Sequence, residues 1–152
     1  MRFAAPALLT TVCLLAGCTG AGSMNTMLSA ASPSPVPDVF ACARQQIKAL
    51  NFDQTSVDVK DYRVTAKHYD EKVTRPDVRF HRLVDRLEVE AVPASGGGAL
   101  TQLTVTARTF AELATHRGPT EEQERPSETV RNAAQKIVER CGGEVAPAPD
   151  AG

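Results

Sequence analysis

Two segments of the chain carry apolar residues at helical spacing, one on each side of a central region with a different pattern. The first runs from Val39 to Phe52 after Asp38, a residue type favoured at helix N-caps. Its apolar positions are Phe40, Ala43, Ile47 and Leu50. The second starts after Ser127, an expected N-cap, and stops at Gly142 and Gly143. Its apolar positions are Val130, Ala134, Ile137 and Cys141. The spacing predicts one helix near each end of the folded body.

Between these helices the apolar period changes to two, which is typical of half-buried strands. One set alternates with glutamates and comprises Leu87, Val89 and Ala91. The other alternates with threonines and comprises Leu103, Val105 and Ala107. The two sets are symmetric about Gly97, so a hairpin closed by residues 95–98 pairs 91 with 103, 89 with 105 and 87 with 107. This register puts all six apolar side chains on one face.

An earlier segment, from Tyr62 to Tyr69, also alternates and predicts a third strand. Val57 and Val59 have the opposite parity, so they require a bulge or bend near Asp61 to join it. The order is therefore α-β-β-β-α. We expect an α+β fold with a three-stranded, or with the Val57 segment four-stranded, antiparallel sheet. Both helices should pack on its apolar face.

Length and charge limit the classes of protein that fit. The 152 residues, 42% of them hydrophobic, suffice for one domain with one core. The 17 basic and 18 acidic side chains give a net charge of −1. Because nucleic-acid binding needs a concentrated basic surface, this balance argues against a nucleic-acid partner.

The N-terminus has the layout of an export signal. Arg2 precedes an apolar stretch from Phe3 to Ala16, which is shorter than the roughly 20 residues of a bilayer-spanning helix but suits a signal peptide. The stretch ends in Leu15, Ala16, Gly17 and Cys18, which resembles the lipobox of bacterial lipoproteins. The resemblance covers residues 1–18 only, and the body resembles no family known to us.

The lipobox resemblance implies a location. Residues 1–17 would be cleaved off, and Cys18 would carry diacylglycerol on its thiol, usually with a fatty acid such as palmitate on its amine. The membrane would then be a partner through this lipid, and the protein would belong to the cell envelope. Because Thr19 rather than Asp follows, we expect the outer membrane, facing the periplasm, if the bacterium is diderm.

Composition divides the rest of the chain. Residues 18–37 are rich in Gly, Ser, Ala and Pro without any period, which predicts a lipidated cysteine on a flexible tether. Residues 38–143 form the predicted α+β domain, and residues 144–152, rich in Ala and Pro, a disordered tail.

Two cysteines remain once Cys13 leaves with the signal and Cys18 is acylated. Cys42 and Cys141 lie in the two predicted helices, and in an exported protein they predict a disulfide. Closing a loop of about 100 residues stabilises a fold by up to roughly 4.7 kcal/mol in the chain-entropy model. Two buried thiols or a metal pair are the alternatives, although no CxxC spacing supports a metal.

The sequence contains no catalytic constellation. A metal site drawn from His68, His81 and Asp70 has no supporting spacing, so we expect solvated histidines. Glu88 and Glu90 fall on the predicted solvent face, and Gly96 to Gly98 belong to a turn rather than a phosphate loop. We therefore assign no catalytic, cofactor-binding or metal-binding residue and expect no cofactor.

Charge is distributed unevenly along the body. The middle third leans basic, through Lys60, Arg63, Lys67, Lys72, Arg75, Arg79, Arg82 and Arg86. The stretch before the second helix is acidic. Scattered solvated charges explain this better than a binding face does. A binding surface is expected on the segments 111–126 and 70–77, which the pattern leaves as loops.

Three functions stay open at this point. The favoured one is a non-catalytic, lipid-anchored module of the envelope that binds a protein or polymer partner or supports an assembly. A small hydrolase-like enzyme using His68 or His81 is the second. The third is a carrier that holds a small ligand between sheet and helices.

Overall fold

A computed structural model describes residues 23–96 and 98–145. Its elements, in chain order, are β1 (Thr26–Ser32), α1 (Val36–Ala49), β2 (Asp53–Asp58), β3 (Arg63–Asp70), β4 (Phe80–Pro93), β5 (Thr101–Thr115), β6 (Gly118–Glu124), α2 (Glu128–Cys141) and β7 (Glu144–Val145). The predicted signal peptide, Cys18 and residues 146–152 lie outside the described residues.

The strands form one antiparallel sheet, in the order β2-β3-β4-β5-β1-β7, with β6 also paired to β5. At 15 residues, β5 is long enough to take two partners along one edge: β1 pairs with its first half and β6 with its second. The prediction of three or four strands in an α-β-β-β-α order is therefore wrong. The fold is still α+β. In the described residues, however, the sheet has seven strands, and the first and last elements are strands instead of helices.

The central hairpin has the predicted register. Leu87 lies opposite Ala107, Val89 opposite Val105, and Ala91 opposite Leu103. All six side chains are buried. The hairpin is longer than its apolar alternation, because β4 and β5 continue past Leu87 and Ala107 to Phe80 and Thr115.

The third strand is confirmed as β3, and the Val57 segment forms its own strand, β2, beside it. A turn separates them, in which Tyr62 has a positive φ of 47°. The ladder irregularity lies between Gln54 and Ser56 instead of near Asp61. The side chains of Val57 and Val59 are exposed, so their alternation does not mark a strand face that packs on the core.

The greatest error concerns the segment expected as a tether. Residues 26–32 form β1, which pairs with β5 over its whole length, so the folded body begins at Thr26 and not at residue 38. Small side chains are needed here because the end of α2 approaches closely. A Cβ added to Gly142 would lie 2.4 Å from the Cβ of Ala30. The amide of Gly143 then donates to the Ala31 carbonyl, and the chain continues into β7, where a disordered tail was expected.

The helices lie close to their predicted places. α1 starts three residues early, with Pro35 as its N-cap and Asp38 in its first turn rather than at the cap. Ser127 caps α2 as predicted, since its Oγ accepts a hydrogen bond from the amide of Val130 at 3.1 Å.

Both helices share one core with one face of the sheet, which we call the helix face. A disulfide joins Cys42 of α1 to Cys141 of α2, with 5.7 Å between the Cα atoms, so the predicted cross-link is confirmed. The space between sheet and helices is filled by buried side chains that include Phe40, Ile47, Leu103 and Ile137.

Candidate functional site

The opposite side of the sheet, which we call the open face, carries the side chains that alternate with those of the helix face; Val84 and Thr106 are buried there, and the others named below are at least partly exposed. Its central part consists of Thr65, Lys67 and Tyr69 from β3, Val84, Arg86, Glu88 and Glu90 from β4, and Thr104, Thr106, Arg108 and Phe110 from β5. Because residues directly opposite each other in paired strands project to the same side, the register determines which of these side chains are neighbours.

Three cations lie side by side across three adjacent strands of the open face. Lys67 is directly opposite Arg86, and Arg86 is directly opposite Arg108. We call these three residues the cation row. Like charges directly opposite in a sheet repel one another and destabilise the pairing. The cation row is therefore an arrangement that folding alone does not favour.

Only the central cation has protein partners in the described residues. The Arg86 guanidinium forms an ion pair with Glu121 of β6 and stacks on the ring of Phe110, with its central carbon 4.4 Å from the ring centroid. Among residues 23–96 and 98–145, neither Lys67 nor Arg108 forms an ion pair or a side-chain hydrogen bond. Two of the three charges are thus available to a ligand.

The cation row lies in a groove of about 270 Å³. Its other polar side chains are three threonines and one acid: Thr55, Thr65, Thr106 and Glu88. The hydroxyl oxygens of Thr55 and Thr65 are 3.1 Å apart and hydrogen-bonded. The groove therefore offers cationic donors, hydroxyl groups and one carboxylate acceptor within a small space.

Other cations of the basic middle third are paired with acids. Arg63 binds Glu90, Arg75 binds Glu124, Arg79 binds Asp77, and Arg82 binds Glu112 and Glu71. For these residues, the interpretation as balanced surface charge fits. Arg86 is paired in the same way, whereas Lys67 and Arg108 have no acid partner among the described residues.

The helix face holds a buried acid, Asp85, which is 1% exposed. The hydroxyl of Ser127 lies 2.8 and 2.9 Å from its two carboxylate oxygens, and the hydroxyl of Thr109 donates to it as well. The amide of Ser127 in turn donates to the Thr109 oxygen at 2.8 Å. Burial raises the pKa of Asp85 above its ordinary value of 3.8, although these hydrogen bonds oppose the rise. This cluster joins the start of α2 to the sheet.

The structure separates the two histidines considered for chemistry. His68 lies opposite Asp85 on the helix face, half-buried, with its ring 5.3 Å from that of Phe52. It is therefore not the solvated histidine that was expected.

His81 is exposed and lies 2.9 Å from Glu112, whose side chain belongs to the open face. Burial disfavours the charged form of Glu112, but hydrogen bonds from His81 and Arg82 leave its pKa below 4.5. Within the described ranges, no three His, Cys, Asp or Glu side chains are grouped to hold a metal ion.

The two segments expected as binding loops are mostly occupied by the fold. Residues 111–126 contain the end of β5 and the whole of β6. In the segment 70–77, Val73 packs on a small second cluster of Leu83, Ala111 and Leu113. Arg75 lies over the ring of Phe80 and binds Glu124, whose pKa this hydrogen bond lowers.

The cation row was not predicted from the sequence, although part of its signal was present. The predicted pairing of 87 with 107 already places Arg86 opposite Arg108. Placing Lys67 beside Arg86 requires the pairing of β3 with β4, and no symmetry in the sequence indicates that pairing. Asp85 also had a signal, because it shares the parity of Leu87 and Val89 and so points inward.

Comparison with models of known protein families gives no match for this chain, and no curated protein matches it. In the part of the chain that the structure describes, no helix is both long and apolar enough to span a bilayer.

Proposed function

We propose that this protein is a lipid-anchored component of the bacterial cell envelope and that it acts as a non-catalytic binding module. Its contact surface is the open face. The observation that carries this proposal is the cation row, with Lys67 and Arg108 left without partners among the described residues, in a groove of the exposed sheet. Two unpaired cations on either side of a third are explained by a bound partner better than by stability.

Two features support an envelope location. Residues 15–18 resemble the lipobox, which supports Cys18 as the site of lipidation. The pairing of Cys42 with Cys141 suits an oxidising compartment outside the cytosol.

The start of β1 limits how far the body stands from the membrane. If Cys18 is lipidated, residues 19–25 alone connect it to the sheet at Thr26. Even fully extended, this segment reaches only about 24 Å. The start of β1 would therefore lie within that distance of the membrane.

Site-specific photo-crosslinking in cells tests the contact surface. A crosslinker at Thr104, on the open face, should trap one discrete envelope partner. The same crosslinker at Lys136, on the exposed side of α2, serves as the matched control. Equal capture from both positions, or none from Thr104, contradicts the proposal.

The anchor has its own test. Intact mass spectrometry of the membrane fraction should find a chain that begins at Cys18 and carries acyl groups. The Cys18→Ser variant should carry no acyl groups, because this cysteine supplies the thiol that is acylated. A native chain with residues 1–17 intact and Cys18 unmodified contradicts the location.

A further inference from the structure

We infer that the groove around the cation row binds an acidic saccharide, a sugar chain whose residues carry carboxylate or phosphate groups. The inference rests on the proposed function, since it names the chemistry of the partner at the same surface. Three features of the groove support it: its charges, its neutral polar groups and the shape of its positive strip.

The first feature is the charge of the row. Lys67, Arg86 and Arg108 are neighbours in register, and the outer two lack partners in the described residues. An anion placed between them replaces repulsion by charge-assisted hydrogen bonds. Arginine suits this role because its planar fork matches both carboxylate and phosphate oxygens.

The second feature is the set of polar groups around the cations. A site for a bare anion needs donors only, yet this groove also contains Glu88 and three threonine hydroxyls. A carboxylate can only accept hydrogen bonds, whereas a threonine hydroxyl both donates and accepts. This combination matches a ligand that carries hydroxyl groups beside its negative charge, as an acidic sugar does.

The third feature is the narrowness of the positive strip. On one side of the row, Arg63 is paired with Glu90; on the other, Arg82 is paired with Glu112. In this part of the open face, the unpaired charge is thus confined to Lys67 and Arg108, on either side of Arg86. A flat anionic bilayer gains most from a broad cationic surface. A single acidic chain needs only the strip, and a groove of about 270 Å³ accommodates a group the size of a sugar ring.

Calorimetric titration of the full chain in detergent tests the inference. The acidic probes are tetragalacturonate and glucose 6-phosphate, and the neutral probe is maltotetraose. Inorganic phosphate represents a bare anion, and phosphatidylglycerol mixed into the detergent micelles represents a lipid surface. We expect saturable binding of at least one acidic saccharide and none of maltotetraose.

Variants localise the site. Arg108→Gln and Lys67→Gln should each weaken acidic-saccharide binding about tenfold, the effect of losing one charged hydrogen bond. Arg108→Lys, which keeps the charge, should restore part of the affinity. Arg117→Gln and Lys136→Gln remove the same charges from exposed positions elsewhere and should change the affinity less than about twofold.

Several outcomes overturn the inference. The first two are no saturable binding of either acidic probe below about 10 mM and phosphate binding as tight as that of the saccharides. The other two are phosphatidylglycerol binding with the same variant losses and equal losses of saccharide binding in the control variants. A discrete protein crosslinked from Thr104 without saccharide binding would leave the proposed function standing and overturn only this inference. Equal capture by crosslinkers at Thr104 and Lys136 would overturn the proposed function, and this inference with it, because the inference rests on the same surface.

Discussion

The two faces of the sheet differ in the contacts that their charged side chains make. On the helix face, even the buried Asp85 has hydrogen bonds from two hydroxyl groups that also anchor α2. On the open face, Lys67 and Arg108 flank a third cation and lack partners in the described residues. The difference separates the side of the sheet that holds the fold together from the side on which we place binding. It can be tested by changing each face in turn.

The largest effect should come from a cavity on the helix face. Leu103→Ala removes a fully buried side chain beneath both helices and should lower the free energy of unfolding by about 2–5 kcal/mol. Its neighbour Thr104 points to the open face. Thr104→Ala should cost about 1 kcal/mol or less, since it loses only a partly buried hydrogen bond to Ser29. Urea denaturation measures both, and similar losses would contradict the division between the faces.

The next effect should come from the contact between α2 and β1. In Gly142→Ala, the new Cβ would lie 2.4 Å from the Cβ of Ala30 and 2.6 Å from the carbonyl oxygen of Val138, so the chain must shift. We expect a loss of about 1–3 kcal/mol by thermal or chemical denaturation. Gly96→Ala is the comparison for Gly142→Ala. An added Cβ at Gly96 meets no atom within 4 Å, so the positive φ of 114° is the only source of strain there. A Gly142→Ala variant as stable as the parent would show that β1 does not approach the helix end as described.

A pH-dependent effect should come from Asp85. Because burial raises its pKa in the folded state above 3.8, the folded chain holds this proton more tightly than the unfolded chain. Its contribution to stability is therefore greatest below the unfolded pKa and declines as pH rises through the raised pKa.

The Asp85→Asn variant measures this contribution, because an amide cannot titrate. The stability difference, parent minus variant, should be larger near about pH 4 than near about pH 7. Asp53→Asn changes an exposed acid of the same type and serves as the control. If the stability difference between the parent and Asp85→Asn stays constant or grows with pH, the raised pKa of Asp85 is contradicted.

The smallest effect on stability should come from the cation row. Arg108→Gln removes a like charge opposite Arg86 and should raise the free energy of unfolding by roughly 0.2–1 kcal/mol at low salt. Salt screens exposed charges, so the gain should shrink as ionic strength rises. Loss of stability in Arg108→Gln would mean that the row contributes to the fold, which would remove the main reason for treating it as a binding site.

The success of the hairpin prediction and the failure of the tether prediction have the same cause. In the hairpin, Leu87, Val89 and Ala91 alternate with polar residues, as their partners on β5 do. Most of these side chains are large and apolar, so the alternation is visible in the sequence. In β1 the buried positions are Ala30 and Ser32, which are small because Gly142 and Gly143 pass close by. Small residues give the same composition as a flexible linker, so the strand had no visible signal. The polar strand β6 was missed for a related reason, since its alternation carries no apolar set.

By itself, the sequence determined the features that depend on local periodicity: the two amphipathic helices, the cap at Ser127 and the register of the β4–β5 hairpin. It also determined, from cysteine count and context, the pairing of Cys42 with Cys141. The tertiary structure decided which polar segments complete the sheet and which charges become neighbours. Lys67 and Arg108 are 41 positions apart in the chain, and they share a row only because β3 and β5 pair with opposite edges of β4. Strand pairing is made through backbone hydrogen bonds that every residue except proline can both donate and accept, so the choice of partner is settled by the packing of the whole fold.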